Sequence, residues 1–256
     1  MHKILSITNQ KGGVGKTTTA ISLSAALAEA EKSVLLIDAD PQGNATSGIG
    51  INKHDIRENN LYHVLIGRAV PGDVIVDTAL PRLRVMPSNQ DLIGVEVEFV
   101  SLKHREQKLK KAIENIDSDY DYIIIDCPPS LGFLTINSLV ASDSLIIPLQ
   151  CEYFALEGLG QLLSTVKLVQ RRMNPSLSLA GILLTMFDVR NGISHRVAEE
   201  VRKYFGSRVF TTVIPRNVRL SECPSHGLPI TSYDGTSRGA LSYRELAREI
   251  LTDGRV

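Results

Sequence analysis

The stretch Lys11-Gly12-Gly13-Val14-Gly15-Lys16-Thr17-Thr18-Thr19 decides the fold of this chain of 256 residues. An apolar run, residues 4–8, precedes it, and a helical pattern follows it directly. Glycines let the backbone curl tightly, so that its N–H groups and the positive end of the following helix can face phosphate oxygens. A strand, a glycine-rich loop and a helix in this order predict a loop that binds the phosphates of a nucleotide.

The two lysines of this loop are expected to have different roles. Lys16 occupies the usual lysine position, from which it reaches the β- and γ-phosphates, and Thr17 places its hydroxyl on Mg²⁺. Lys11 lies where such a loop has no structural need for a charge, and the alternative interpretation is a solvated lysine beside the loop. Gln10 stands where the standard loop pattern has its first glycine. Thr18, the next donor along the loop, is assigned to the α-phosphate. The loop residues predicted to bind nucleotide are Gly12, Gly13, Val14, Gly15, Lys16, Thr17 and Thr18, and the role of Lys11 stays open at this point.

Composition and charge limit the possible functions. Hydrophobic residues make up 43% and charged residues 22% of the chain, which is typical of a globular protein, and the length suits one domain over residues 1–256. No apolar run reaches transmembrane length and no signal peptide is expected, so a reduced cytoplasm is the expected location. The three cysteines show no metal-binding spacing. The net charge is zero, so that binding to nucleic acid requires a local basic patch.

Apolar runs rich in Val, Ile and Leu recur along the chain and predict strands that are buried on both faces. They cover residues 4–8, 34–38, 83–86, 122–126, 144–148, 180–185 and 210–214. Helical patterns alternate with them, among them residues 20–30, 99–116 and 156–169, whereas residues 48–60 form the most loop-like stretch. This alternation predicts an α/β fold in which a mostly parallel sheet is covered by helices on both faces.

Acidic residues follow two of the predicted strands, at the carboxyl ends where such sheets bind their ligands. Asp38 and Asp40 are expected to leave the second strand on the same side, and Asp126 ends the fourth strand. An acid after a hydrophobic strand, in a chain with a phosphate loop, is the arrangement that holds Mg²⁺. We therefore predict a metal site of Thr17, Asp40 and Asp126, with Asp40 also orienting the attacking water. A single acid at a strand end more often caps a helix or forms a turn.

Residues 11–19, 38–44 and 123–129 resemble the three nucleotide motifs of the deviant Walker-A ATPases, and most closely those of the ParA/Soj chromosome- and plasmid-partition ATPases. The similarity extends over nearly the whole chain and includes residues 135–137, 148–153, 155–158 and 214–219. It implies a three-layer α/β/α P-loop NTPase fold, ATP and Mg²⁺ as cofactors, and weak basal hydrolysis of ATP. It also implies contacts to adenine by Pro215, Arg216 and Asn217, although Asn217 has an alternative role as a helix cap.

The same resemblance implies how nucleotide, dimer and DNA are linked. Two subunits enclose ATP as a homodimer, and Lys11 crosses to the phosphates of the other subunit. Arg190 and Arg219, in a locally basic region, bind double-stranded DNA without sequence preference, although such charges usually form a solvated helix face. A ParB-type centromere-binding protein stimulates hydrolysis and releases the dimer. The implied role is chromosome or plasmid segregation, with a location in the cytoplasm and on the nucleoid.

Three other functions are weighed against this one. A membrane-associated positioning ATPase similar to MinD needs a basic amphipathic anchor, whereas residues 241–251 mix acids and bases and predict a docked helix, so no membrane partner is expected. A reductase similar to the nitrogenase iron protein needs thiolates that bridge a cluster, and Cys127 is better explained by packing. A nucleotide-dependent scaffold without catalysis is distinguished from an ATPase only by a turnover measurement.

Overall fold

A sheet of eight strands lies at the centre of the computed structural model, which describes residues 2–116, 119–152 and 155–254. The strands are β1 Lys3–Ile7, β2 Val34–Asp38, β3 Val76–Asp77, β4 Leu83–Met86, β5 Tyr122–Asp126, β6 Ser144–Gln150, β7 Ser178–Phe187 and β8 Val209–Pro215. Their order in the sheet is β3-β4-β2-β5-β1-β6-β7-β8. All neighbouring pairs are parallel except β3 with β4.

Strand β2 shows why the predicted strands are continuous apolar runs. All of its residues are buried. Leu36 belongs to the core on one side of the sheet, and Leu35 and Ile37 belong to the core on the other side, because successive side chains of a strand point to opposite faces. A strand that is covered twice has no exposed face for polar residues.

Helices connect the strands and cover the sheet. They are α1 Lys16–Glu29, α2 Asn44–Gly48, α3 Leu61–Leu65, α4 Pro71–Val74, α5 Gly94–Glu98, α6 Lys108–Glu114, α7 Phe133–Ala141, α8 Ala155–Arg172, α9 Gly192–Phe205, α10 Val218–Glu222, α11 Ile230–Tyr233 and α12 Arg238–Asp253. Short 3₁₀ helices occur at Gln90–Ile93, Phe99–Ser101, Arg105–Gln107, Gly206–Arg208 and Cys223–His226.

The helices form a layer on each face of the sheet. On one face, Leu23 of α1 and Leu246 of α12 share a core with Leu5 of β1 and Ile124 of β5. On the other face, α3, α6 and α7 pack against β2 and β5, and α8 and α9 pack against β6 and β7. The predicted three-layer α/β/α fold with a mostly parallel sheet is therefore confirmed.

The C-terminal helix α12 is docked on the sheet, as residues 241–251 predicted. Tyr243, Leu246 and Ile250 are buried, and Tyr243 Oη lies 3.0 Å from Oγ1 of Thr19 in α1. This bond ties the helix to the element that follows the phosphate loop. Across the described ranges, no helix combines the length and the apolarity needed to cross a bilayer.

Helix α12 also covers part of β8, the outermost strand at one edge of the sheet. The two carboxylate oxygens of Glu249 accept hydrogen bonds from the backbone N–H groups of Thr211 and Thr212, at 2.8 and 3.0 Å. An edge strand exposes N–H and C=O groups without partners in its own sheet. The Glu249 carboxylate accepts hydrogen bonds from two N–H groups of this edge strand.

Two predicted elements differ from the structure. Residues 99–116 are not one helix, because His104 has a φ of 56°, a left-handed conformation that interrupts helical geometry. The stretch is divided into two 3₁₀ helices and α6. Gly48 ends α2, and residues 49–60 form turns, bends and irregular structure, as expected of a loop. Ile56 and Asn60 are buried, so this connection is packed. Tyr153 and the side chains of Ala155, Leu156 and Glu157, which belong to predicted motifs, lie outside the described residues.

Candidate functional site

The predicted phosphate loop lies at the carboxyl ends of the central strands. Ile7 at the end of β1 is paired with Asp126 at the end of β5, and Asp126 is paired with Asp38 at the end of β2. A cavity of about 360 Å³, which we call the phosphate cavity, opens beside the loop. Its lining residues are Gly12, Gly13, Gly15, Lys16, Thr17, Thr18, Asp40, Asn44, Pro129 and Met186. The structure thus brings most of the predicted loop residues and Asp40 together around one cavity.

Backbone conformation explains two of the loop glycines. Gly13 has a φ of 75° and Gly15 a φ of 89°, a region that other residues rarely adopt. Gly15 is the N-cap of α1 and provides no side-chain hydrogen bond, so the first N–H groups of α1 are available to an anion in the cavity. Thr185 Oγ1 donates to the carbonyl of the buried Val14 at 2.9 Å and anchors the loop to β7.

The Lys16 side chain folds across the loop. Its ammonium donates to the carbonyl oxygen of Lys11 at 3.0 Å. Burial lowers the pKa of Lys16, and the nearby carboxylates of Asp126 and Asp40 oppose this effect. A phosphate anion in the cavity would stabilise the charged form of Lys16 further.

The Lys11 side chain points toward a carboxylate that follows β6. Lys11 Nζ lies 3.7 Å from Glu152 Oε2, and Arg216 Nη2 lies 3.9 Å from Glu152 Oε1. The side chains of Lys11 and Glu152 are 42% and 50% exposed, and ion pairs of this kind contribute about 0–1 kcal/mol. Glu152 was missed as a site residue, although its position at the carboxyl end of a strand could have indicated it.

Asp126 is fully buried, and in the described part of the chain neither carboxylate oxygen has a hydrogen-bond partner. Burial raises the pKa of Asp126 well above its usual value, the charge of Asp38 adds to the rise, and the neighbouring hydroxyl of Thr17 opposes it. Thr17 and Asp126 therefore lie close together, and both carboxylate oxygens of Asp126 are buried acceptors without a partner among the described residues. Oxygen donors of this kind fit a hydrated Mg²⁺ ion.

Asp38 and Asp40 have different surroundings, although Asp38 ends β2 and Asp40 follows two residues later. The Asp38 carboxylate is buried and accepts hydrogen bonds from the N–H and the hydroxyl of Thr46, both at 2.7 Å. Asp38 thereby holds the start of α2. Asp40 lines the phosphate cavity, and its Oδ1 accepts the N–H of Gln42 at 2.9 Å. Ser88 Oγ donates to the Asp40 carbonyl at 3.0 Å, so the turn is held at both ends.

A second cavity, of about 120 Å³, adjoins the first and contains the residues predicted to contact adenine. Gly15, Thr18 and Met186 line both cavities. Oδ1 of Asn217 accepts the N–H of Arg219 at 2.8 Å. Asn217 therefore caps the N-terminus of α10, which is the alternative role that the sequence left open. Its amide nitrogen has no partner among the described residues. The lining residues are Gly15, Thr18, Thr185, Met186, Ile214, Pro215, Arg216, Asn217, Leu220, Ser221 and Tyr243.

Several lining residues of the second cavity were missed by the sequence analysis. Met186 has a φ of 51°, and a left-handed conformation in a bulky residue is a local strain that is common at binding sites. Met186 lies near the end of β7, where the carboxyl-end rule could have found it. Ser221 and Tyr243 come from helices far along the chain, and no local signal in the sequence points to them.

Arg190 and Arg219 follow neighbouring strands. Phe187 of β7 is paired with Pro215 of β8, so the segments after these strands leave the sheet side by side. The side chain of Arg190 is 86% exposed and lies 3.2 Å from Asp188. Arg219 is 54% exposed and lies 2.9 Å from Glu222 and 3.4 Å from Asp234. Both arginines are accessible, and both have carboxylates of their own subunit beside them.

The fold and the two cavities define a P-loop NTPase whose loop carries a second lysine. A family model described as an AAA domain matches residues 2–179. The sporulation initiation inhibitor protein Soj of Bacillus subtilis is 57% identical over 254 residues, which cover 99% of this chain and 100% of Soj. The chromosome-partitioning ATPase Soj of Treponema pallidum is 52% identical, with 100% of both chains covered. The chain therefore belongs to the Soj/ParA family of partition ATPases.

A solved structure of a protein with a different name has the same fold. Cobyrinic acid a,c-diamide synthase of Mycobacterium smegmatis, with bound ADP and magnesium, is 39% identical and has a TM-score of 0.87. The match covers 100% of this chain and 96% of that chain. Because one fold serves several functions, membership of the Soj/ParA family rests on the sequence relatives.

Proposed function

We propose that this protein is a partition ATPase that binds ATP and Mg²⁺, dimerises in the ATP state and binds DNA as a dimer. The observation that carries the proposal is the phosphate cavity with Lys16 and Asp40 in its wall and the buried, unpartnered carboxylate of Asp126 beside Thr17. The ADP and magnesium bound to the M. smegmatis protein support the choice of cofactor, and the names of the Soj relatives support the cellular role.

The residues of the two cavities fit the parts of a nucleotide. The loop N–H groups, Lys16 and Thr18 bind the phosphates, and the segment from Pro215 to Asn217 binds the base through an apolar ring and a free amide N–H. Thr17 and Asp126 hold Mg²⁺, which supplies positive charge to the β- and γ-phosphate oxygens when bound. Asp40 faces the same phosphates from the wall of the cavity.

Asp40 is the residue that orients the attacking water. Its turn is fixed by the bonds to Gln42 and Ser88, and its Oδ2 has no hydrogen-bond partner among the described residues. A carboxylate that is held in place and retains a free oxygen can accept a hydrogen bond from water and align it with the γ-phosphate. Hydrolysis then yields ADP and phosphate.

Lys11 connects the nucleotide state to dimerisation. In the monomer it lies beside Glu152, in a solvent-facing pair of small energy. Phosphate oxygens of the partner's nucleotide offer a stronger, charge-assisted bond, so Lys11 exchanges Glu152 for the phosphates across the interface. ADP carries fewer oxygens and less charge than ATP, so it holds the partner less well.

Dimerisation in turn controls DNA binding. Arg190 exchanges Asp188, and Arg219 exchanges Glu222 and Asp234, for DNA phosphates; all three carboxylates are half-buried. Phosphates carry no base information, so binding has no sequence preference. A dimer doubles the number of contacts, and each phosphate contact changes the slope of log affinity against log salt by about 0.9. A ParB-type partner stimulates hydrolysis and releases the dimer, and the protein cycles on the nucleoid.

Retention on DNA-coated beads in ATP or ADP tests this function. Wild type is expected to be retained in ATP and not in ADP, and Asp40→Ala is expected to stay bound in ATP while producing no phosphate. Asp55→Ala, at an exposed position outside the cavity, is the control and is expected to behave as wild type. Rapid release of Asp40→Ala in excess ATP would contradict the role of Asp40, and equal retention in ADP and ATP would contradict control by nucleotide.

A further inference from the structure

The hydroxyl of Thr46 lies inside the protein, behind the turn that carries Asp40. Thr46 belongs to α2 and is fully buried, and the described lining of the phosphate cavity does not include it. Thr46 therefore does not touch a nucleotide in that cavity. Its hydrogen bonds nevertheless join the ends of two neighbouring strands, β2 and β4, and both sets of bonds lead to Asp40.

Two hydrogen bonds join Thr46 to Asp38, the last residue of β2. The backbone N–H and the hydroxyl of Thr46 both donate to Asp38 Oδ2, at 2.7 Å each. The other carboxylate oxygen of Asp38, Oδ1, accepts the backbone N–H of Asp40 at 3.2 Å. Thr46 therefore fixes the orientation of the carboxylate that holds the N–H of Asp40.

The same hydroxyl accepts a hydrogen bond from the segment that follows β4. The backbone N–H of Ser88 donates to Thr46 Oγ1 at 2.9 Å, and the Ser88 hydroxyl donates to the carbonyl of Asp40 at 3.0 Å. A threonine hydroxyl can donate one hydrogen bond while it accepts another, and that of Thr46 does both. The resulting closed ring of hydrogen bonds, which we call the Asp40 ring, consists of Asp38, Asp40, Thr46 and Ser88.

The turn after Asp40 packs directly on this ring. The N–H of Gly43 donates to the carbonyl of Asp40 at 2.9 Å and closes the turn. Gly43 has a φ of 59°, and a Cβ atom at this position would lie 2.6 Å from the carbonyl oxygen of Ser88, which is too close for atoms that are not bonded. Because the backbones of Gly43 and Ser88 are in contact, a shift of Ser88 would be transmitted to the turn that carries Asp40.

We propose that Thr46 is a positioning residue for hydrolysis, which holds Asp40 in place through Asp38 and Ser88. This role rests on the proposed function, in which Asp40 orients the attacking water. Without the Thr46 hydroxyl, the buried Asp38 carboxylate loses a donor and the buried Ser88 N–H loses its acceptor, so the Asp40 ring opens on both sides. A displacement of about 1 Å can lower a reaction rate by about 100-fold.

Three substitutions of Thr46 test the proposal in single-turnover hydrolysis of ATP, with the affinity for a fluorescent ATP analogue measured in parallel. Thr46→Val keeps the shape of threonine without its hydroxyl, and we expect a rate at least about tenfold lower, or 1.4 kcal/mol, at unchanged affinity. Thr46→Ser can form both bonds, so we expect a rate within about twofold of wild type. Thr46→Ala is expected to follow Thr46→Val, and it places no methyl group against Asp38 if Thr46→Val folds poorly.

Ser142→Ala is the matched control for lost stability. The Ser142 hydroxyl is buried and donates to the carbonyl of Ser138 at 2.7 Å, but Ser142 precedes β6 and lies at the opposite edge of the sheet from the phosphate loop. Ser142→Ala should lower Tm through the lost hydrogen bond, and Thr46→Ser should lower Tm through the lost methyl group. Both are expected to hydrolyse ATP at nearly the wild-type rate. A slow Ser142→Ala or a slow Thr46→Ser would show that the rate follows stability, which would overturn the proposal.

Asp40→Ala distinguishes failure of this proposal from failure of the proposed function. If Asp40→Ala does not hydrolyse ATP while Thr46→Val and Thr46→Ala keep the wild-type rate, Asp40 orients the water without help from Thr46, and only the role of Thr46 is wrong. If Asp40→Ala hydrolyses ATP at the wild-type rate, the role of Asp40 is wrong, and that of Thr46 with it. A loss of nucleotide affinity in Thr46→Val as large as the loss of rate would also overturn the proposal, because Thr46 would then shape the whole site.

Discussion

The buried carboxylate of Asp126 predicts that removal of a charge stabilises the protein without ligand. Asp126→Asn keeps the shape of the side chain but replaces the charge by a neutral amide. Both Asp126 oxygens lack a hydrogen-bond partner in the described part of the chain. The asparagine amide keeps the cost of an unpaired buried polar group, so the gain is only the additional cost of burying a charge. We expect Asp126→Asn to raise the free energy of unfolding by about 1–3 kcal/mol at neutral pH, because a pKa raised by one unit is worth about 1.4 kcal/mol. This corresponds to about 2–12 °C in Tm.

The gain depends on pH in a defined direction. Burial and the charge of Asp38 raise the pKa of Asp126 in the folded state. Between the pKa of the unfolded state and this raised pKa, the folded wild type binds more protons than the unfolded chain, so its stability falls as the pH rises. Below the unfolded value of about 4, both states are protonated and the advantage of Asp126→Asn disappears. Above the folded pKa the advantage is at its maximum.

Thermal unfolding of wild type and Asp126→Asn in EDTA, at about pH 5 and about pH 8, measures how the difference in their stability depends on pH. Asp55→Asn, at an exposed position, is the control and is expected to follow wild type at both values. Excess Mg²⁺ and ATP should reverse the order, because ligand binding stabilises wild type by mass action and Asp126→Asn has lost the metal ligand. An Asp126→Asn protein that is less stable than wild type in EDTA at neutral pH would refute the reasoning.

Other substitutions test single contacts. Lys11→Ala is expected to abolish ATP-dependent dimers in sedimentation velocity and to retain nucleotide binding. Dimers of normal stability would contradict the proposal that Lys11 binds the phosphates of the other subunit's nucleotide. Arg190→Glu and Arg219→Glu are expected to spare dimers but to lose DNA retention, and the salt slope should fall by about 1 per lost phosphate contact. Equal retention at low and high salt would exclude phosphate contacts. Tyr243→Phe removes the hydrogen bond to Thr19 and should lower the free energy of unfolding by about 1 kcal/mol in urea denaturation; an unchanged midpoint would show that the bond contributes nothing.

The parts of the fold that sequence alone predicted are those with a local cause. The central strands are continuous apolar runs because both of their faces are buried, and the boundaries of β2, β4 and β5 agree with the predicted ones. The phosphate loop could also be predicted from the sequence, because the positive φ angles of Gly13 and Gly15 require glycine at fixed positions in the chain. β3 spans Val76–Asp77 and is too short to leave a pattern.

The parts that sequence did not predict depend on contacts between distant residues. Helical spacing extends through residues 99–116, but His104 breaks the helix, and no glycine or proline marks that position. Tyr243 reaches the second cavity of the site only because α12 docks on α1. The pairing of Lys11 and Arg216 with Glu152 joins three segments that are far apart along the chain. Asn217 shows that a cap and a lining residue can be the same side chain.

The carboxylate of Glu249 at the edge of the sheet has a consequence for the growth of larger assemblies. A strand of another molecule can extend a sheet only if it finds free N–H and C=O groups along the outer strand. On β8, the N–H groups of Thr211 and Thr212 already bind Glu249. Filaments built by continuing this sheet from one molecule to the next are therefore disfavoured at β8.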